Sequence, residues 1–347
     1  MYQPEELKNR YKGISNSSLG WFRLSPKYFR DKIDRKIEEP EQEYFELGTK
    51  LHYYLLEPQK FEQLYIYLDF PVPANPKQKQ FCESMAKDKQ KISESEKAKE
   101  IYKSIYATDK KSDSKVTAEA MKLVTNYRLY INYLQKVDLY KDTINFTTRK
   151  FLDDARTSVL SHKKAREILL NSAYSTTNKV TEEEYVEANE VTIYWEHPSI
   201  KINGELMVCK SRIDRVIIDH LTKTVRLVDL KTSYNLIDFP TKFEKFKYHE
   251  QLAFYWMAIG YMFSKLWPDK KLSEYTKESY IVAIQTNPDK SNTLLPVECK
   301  VYKVEDHWLE TGYLGIEKTL LDMVWYFEND AWSYSKEYLE GDGSEII

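Results

Sequence analysis

In 347 residues the sequence has only three cysteines, Cys82, Cys209 and Cys299, far apart and with no CxxC pair. This argues against a disulfide framework or a zinc site, and the three read as buried or idle thiols. No run approaches the roughly 18 apolar residues that a membrane span needs. The first residues, MYQPEELKNRYKG, lack the apolar core of a secretory signal, so the expectation is a cytoplasmic protein with no membrane partner. There is no GxxxxGK[ST] phosphate loop, which excludes a nucleotide-driven motor of the chain's own. There is no internal repeat and no low-complexity linker. A strong charge of one sign is also missing: the formal net charge is −2. That is not the overall signature of a nucleic-acid coat protein, although a basic stripe confined to a cleft would not register in such a count.

What is present suits a folded globular chain. Apolar residues make up 42% and charged residues 31%, enough for a sizeable core beneath a polar surface. The segment 14–33 reads as a helix capped by Ser15 or Ser17, a break at Ser25-Pro26, and a second helix. Residues 41–57 form another helix, stopped by Pro58, and LYIYLDFPV is strand-like. Residues 76–175 look almost wholly helical. From about 185 the pattern turns to β-branched residues alternating with period two, in EANEVTIYWE, ELMVCKSRIDRVIID and TVRLVDLKTS. Helical periodicity returns over 242–266. SYIVAIQ and LPVECKVYKV read as further strands, and a helical tail follows over 305–337. The expected fold is α/β: a single domain over 1–347, with a sheet core at 185–300 and a large helical insertion at 76–175.

The candidate chemistry lies on one hairpin. Asp214 sits in SRIDRVII, and Asp229 and Lys231 sit in RLVDLKT. Alternate strand residues share a face, so Asp229 and Lys231 point the same way. A turn centred near Leu221-Thr222 places Asp214 opposite Asp229, with Cβ atoms about 5 Å apart. Two carboxylates so close repel unless a cation lies between them, which points to a hard divalent ion, Mg²⁺ or Mn²⁺. The Leu230 carbonyl is a candidate third ligand. Lys231 is placed to orient an attacking water or to offset charge on a reacting phosphate. A D-x-K triplet alone is common. Here it is embedded in an apolar strand, flanked by Val225, Leu227, Val228 and Leu230, where charges usually have a purpose. Lys210 and Arg212 alternate with Asp214 on one strand and are candidate phosphate contacts.

The pattern CKSRIDRV–turn–VRLVDLKTS resembles the core of the PD-(D/E)XK nuclease superfamily, in its RecB/RecE-like branch of exodeoxyribonuclease VIII-like phage exonucleases. Two further motifs extend the resemblance, LGTKLHYYLLEP with His52 and YHEQLAFY with Gln251 and Tyr255. The matches run in order over roughly residues 14–263. The resemblance implies a restriction-endonuclease-like core, a mixed central sheet flanked by helices. His52 would be a metal ligand or a contact to the reacting phosphate. Gly48, one turn before it, would let backbone, metal or substrate approach. Glu190 in NEVTIYW would bind metal, with Glu187 as a competitor for that role. Gln251 and Tyr255 share a helix face and would hold the scissile strand or Lys231, although Tyr255 also suits the core.

The implied function is a Mg²⁺-dependent DNA exonuclease that resects double-stranded ends in phage-type recombination. A single-strand annealing protein is the implied partner, and some members are ring-shaped homo-oligomers. An iron–sulfur cluster, present in several RecB-like nucleases, is not expected, because Ser25 replaces the cysteine before Pro26 and no four-cysteine set exists. Two alternatives stay open: an endonuclease or nuclease subunit of a larger complex on the same fold, and a catalytically silent DNA-binding or structural protein.

Overall fold

The computed structural model describes residues 13–37, 43–87, 92–108, 111–136, 142–170, 185–286 and 297–341. Most of the N-terminal stretch read above for a signal lies outside them. Among the described residues no helix is long and apolar enough to cross a membrane. The chain divides into two compact units, one built from the residues up to Glu57 and from Ala155 onward, the other from Pro58–Asp154.

The first unit begins with α1 (Asn16–Leu24) and α2 (Pro26–Ile33). Ser15 caps α1 in a reciprocal capping box with Ser18, and Ser25 caps α2 with Pro26 in its first turn. Helix α3 (Glu43–Leu56) follows. The second unit holds α4 (Pro58–Leu64), β1 (Tyr65–Tyr67), α5 (Pro76–Lys87), α6 (Glu94–Ile105), α7 (Asp113–Asn126), α8 (Arg128–Lys136) and β2 (Asp142–Ile144). Strands β1 and β2 pair in parallel, so this region is helical but not wholly so. Its helices close around Phe81, Cys82, Ala98, Val116 and Ala120. The division between the units falls within α9 (Phe146–Ser161).

The rest of the first unit is built on a five-stranded sheet. Its strands, in spatial order, are β3 (Tyr185–Ile202), β4 (Glu205–Asp219), β5 (Thr224–Ser233), β6 (Thr276–Gln285) and β7 (Cys299–Val304). All neighbours are antiparallel except β5 and β6. That parallel pair needs a crossover, supplied by α10 (Phe239–Lys245) and α11 (Tyr248–Leu266). The periodicity over 242–266 predicts one helix, but there are two. Lys247 takes a left-handed conformation, φ 55°, and turns the chain between them. Likewise the tail is α12 (Asp306–Asn329) and a short α13 (Lys336–Glu340), parted at left-handed Asp330. A single left-handed residue leaves no mark in a hydrophobic period.

Helices α1, α2, α11 and α12 supply the core over one sheet face, with Leu19, Phe29, Phe254, Ile259 and Ile316 packed against Ile193, Trp195 and Leu227. Trp195 is fully buried, and its indole N–H donates to Ser211 Oγ at 3.1 Å. The three cysteines are free. Burial pushes the Cys82 and Cys299 thiols up to about 12 and Cys209 higher still, so none is a ready nucleophile.

Helices α11 and α12 approach closely because α12 carries Gly312. A Cβ there would lie 2.7 Å from the His249 carbonyl oxygen and 2.9 Å from Ala253 Cβ. Gly312→Ala should therefore cost about 1–3 kcal/mol by overpacking. Gly20 in α1 has open space around it, and Gly20→Ala should stabilise by roughly 0.5–1 kcal/mol. Urea denaturation of the two variants checks the pair. Equal stabilities would show that the helix contact is not as tight as described.

Candidate active site

The site is assembled where the β3–β4–β5 ladder breaks its rhythm. On β3, Asn189 pairs with Arg215 and Val191 with Ile213, but Glu190 between them is left out of the ladder and has φ 48°. Positive φ at a non-glycine residue is strained, and such residues gather at functional sites. The strain shifts the alternation. Val216 and Ile218 face the α11 core on one side of the break, and Cys209 and Ile213 face it on the other. The β4–β5 ladder runs regularly from Asp219↔Thr224 to Arg215↔Val228. One further step of the same register sets Asp214 opposite Asp229. There the strands part, and the Leu230 N–H donates to Asp214 Oδ2 at 2.7 Å. A side chain thus takes up a buried donor that the diverging backbone would leave unmet.

Glu190, Asp214 and Asp229 therefore lie in one row across three strands. Helix α3 brings His52 to this row. Its Nδ1 is 2.9 Å from Glu190 Oε1 and 3.7 Å from Asp214 Oδ1. The second Glu190 oxygen accepts from Arg212 Nε at 2.8 Å. Glu187 is engaged elsewhere, with Tyr185 and Arg215, which separates the two glutamates left as competitors by the sequence.

Asp229 is 1% exposed. Lys231 Nζ stands 2.7 Å from its Oδ2, but off the direction of a hydrogen bond, and neither Asp229 oxygen has a directed hydrogen bond among the described residues. The same ammonium lies 5.2 Å from the centre of the Tyr248 ring.

These groups surround a cleft of about 370 Å³ lined by Gly48, Thr49, His52, Tyr53, Glu190, Arg212, Asp214, Leu230, Lys231, Thr232, Tyr248 and Tyr255. Asp229 and Gln251 are not in that lining. Gln251 donates to the buried Tyr255 hydroxyl at 2.7 Å, so the pair holds itself in place at the cleft wall. Lys210 is outside the lining, with its ammonium 5.5 Å from the Tyr194 ring. A Cβ at Gly48 would make ordinary contact, 3.5 Å, with Thr232 Oγ1, so the fold itself does not require glycine there. Tyr248 was not singled out from the sequence. Its signal was available, since residues 248, 251 and 255 share one helix face.

The electrostatics follow from crowding. Burial, then the charges of Asp229 and Glu190, push the Asp214 carboxyl up to about 6 against the pull of His52 and Lys231. Burial opposes charge on His52, but Asp214 and the Glu190 hydrogen bond outweigh it and raise its pKa. Glu190 is shifted the other way: burial is outweighed by His52 and Arg212, and its pKa is lowered. For Lys231 burial is outweighed by Asp229 and Asp214, and the ammonium is held. Burial keeps the Tyr255 hydroxyl neutral.

Ligand atoms of His52, Glu190 and Asp214 all lie within 4.8 Å of one another, a grouping that could hold a metal ion. Two carboxylates and an imidazole are a donor set for a divalent ion, and the unsatisfied Asp229 oxygens add negative charge close by. The residues present thus fit a divalent cation, with His52 and Glu190 more central to the donor set than Asp229.

No protein-family model matches the sequence, and no curated protein matches it. A solved structure of a protein from Eubacterium rectale, named "Putative exonuclease", is similar at TM-score 0.46 and 8% identity, covering 100% of this chain and 95% of that one. That degree of likeness does not assign an activity.

Lys231 offsets the buried Asp229 charge. Breaking a buried pair by removing one partner costs about 3–5 kcal/mol, so Lys231→Ala should lose that much stability in EDTA. Saturating Mn²⁺ should restore part of it. Chemical denaturation with and without the ion measures both. A variant as stable as the parent in EDTA would show that Asp229 is not held as a buried anion.

Proposed function

We propose that the protein is a metal-dependent nuclease that hydrolyses phosphodiester bonds, with DNA as substrate. The observation that carries this reading is the convergence of His52, Glu190, Asp214 and Lys231 on one cleft, with Asp229 against the lysine. These residues come from four separate elements, and only the hairpin residues are near one another in sequence. The sequence resemblance described above supports the same reading from the order and spacing of its motifs.

The roles follow from position. Asp214, Glu190 and His52 would hold Mg²⁺ or Mn²⁺, which would supply positive charge to the attacked phosphate and to the departing oxygen. Lys231 directs its ammonium between Asp229 and the cleft, where it orients the attacking water or offsets charge that builds on phosphorus. Arg212 keeps Glu190 ionised and turned toward His52, and its partly exposed guanidinium is available to a neighbouring phosphate. Lys210, two residues away on the same strand face, extends the positive track. Gln251 and Tyr255 shape the wall against which the strand lies.

Resection from double-stranded ends, with a single-strand annealing protein as partner and a homo-oligomeric ring, is the finer reading that the resemblance supports. An endonuclease, or a nuclease subunit of a larger complex, would use the same residues. A silent relative of the fold would be expected to lack an acidic residue or the lysine, and Asp214, Asp229 and Lys231 are all present.

End-labelled linear DNA should be degraded with Mg²⁺ or Mn²⁺ and not in EDTA or with Ca²⁺ alone. Asp214→Asn and Lys231→Ala should each lower the rate at least about 10²-fold. His52→Ala should lower rate and Mn²⁺ affinity together. Sparing of covalently closed circles would mark an exonuclease. Undiminished cutting in EDTA would overturn the metal site.

A further inference from the structure

The segment between β5 and α11 carries an apolar, aromatic rim that meets the cleft at Phe246. Three of its large side chains are exposed: Tyr234 at 63%, Ile237 at 84% and Phe246 at 54%. Scattered exposed apolar residues are ordinary, but this group has three features that scatter does not produce. The first is continuity with the cleft. The Phe246 ring centre lies 6.0 Å from that of Tyr248, which lines the cleft and sits beside Lys231.

The second is that the exposure is enforced. The loop after β5 is fastened down. Lys242 Nζ donates to Ser233 Oγ at 3.1 Å and pairs with Asp238 at 3.0 Å, and the Ile237 N–H donates to Asn235 Oδ1 at 2.7 Å. Leu236 is buried beneath it. Ile237 and Tyr234 are thus held out into solvent by an anchored loop. Phe246 precedes the left-handed Lys247, a strained reversal that sets its ring against Tyr248.

The third is charge. Of the four lysines from Lys231 to Tyr248, Lys231, Lys242 and Lys247 pair with Asp229, Asp238 and Glu250, while Lys245 has no ion pair among the described residues. Lys245 Nζ is 5.8 Å from the Phe246 ring. Aromatic faces interleaved with ammonium groups suit a nucleic-acid strand, whose bases stack while its phosphates pair with cations.

We infer that this rim is a base-stacking platform that holds unpaired nucleotides next to the scissile phosphate, so the strand enters the cleft single-stranded. The inference rests on the nuclease reading for the position of the phosphate, while the stacking itself can be measured without cleavage. A duplex substrate would have to open over the rim before its strand reached Lys231, because bases inside a duplex already have both faces stacked on their neighbours.

The test uses the full chain and a short single-stranded DNA carrying 2-aminopurine next to its terminal nucleotide. Binding is read from quenching in Ca²⁺ and cutting is followed in Mg²⁺. Phe246→Ala should weaken binding about tenfold, within the range expected for loss of one base–aromatic stack, and should raise KM more than it lowers kcat. Phe246→Tyr should keep wild-type behaviour, and Tyr234→Ser should give a smaller loss. An abasic strand should show a much smaller difference between parent and Phe246→Ala. If the parent quenches the probe through Phe246 but cuts nothing, the stacking rim stands and the nuclease reading falls. If it cuts while Phe246→Ala binds and cuts as the parent does, the rim is overturned. A parent that neither cuts nor quenches overturns both.

Discussion

The structure depends on how three carboxylates are accommodated in one row of a sheet. Glu190, Asp214 and Asp229 occupy successive strands, with Asp229 almost wholly buried. Like charges this close, in a medium of low dielectric constant, repel by several kcal/mol unless cations intervene. Lys231 and Arg212 are such cations in the protein itself, and the His52 imidazole joins them, each within 3 Å of a carboxylate oxygen. Much of the unit follows from delivering them. Helix α3 must lie over β4 and β5 for His52 to reach Glu190, and β4 must carry Arg212 and Asp214 at their spacing of two. A divalent cation would complete the same balance, and its binding would then be linked to stability.

The cleft exists because the sheet does not stay regular. A continuous ladder would pair every backbone group and leave no room beside Asp214. The left-handed turn at Glu190 and the parting of β4 from β5 after Arg215 open that room, and the Asp214 side chain satisfies the backbone donor that the opening exposes. Beyond the break, Ile14 pairs with β4, exchanging hydrogen bonds with Val208 and Lys210. The first half of β4 is thus supported without β5.

Rigid surroundings hold this geometry. Helix α11 carries Tyr248, Gln251 and Tyr255 toward the cleft, continues the same stripe into the core with Ile259 and Met262, and turns His249 and Ala253 to α12. Gly312 lets α12 press on that helix, and Arg23 of α1 joins them through Glu250 and Thr319. The cleft wall therefore moves only if the core moves, which holds the side chains around the cleft within small positional tolerances.

The element types were largely legible in the sequence, because each rests on local rules. Period-two alternation marked β3 to β5, an apolar run marked β6, Ser15 or Ser17 and then Pro26 marked the first two helix starts, and the turn at Leu221-Thr222 set the β4–β5 register that aligns Asp214 with Asp229. The pairing of Asp229 with Lys231 followed from their spacing of two. What the chain's own order could not disclose was where the ladder fails. Left-handed conformations at Glu190, Lys247 and Asp330 carry no compositional mark, since none is glycine. Only tertiary packing decided that Glu190 and not Glu187 meets His52, that Arg212 serves Glu190, and that Tyr248 stands over Lys231. The sequence set the periods and spacings because these depend on neighbours along the chain. The folded structure chose the partners, because a buried charge is stabilised by whichever opposite charge packing brings within reach, however distant in sequence.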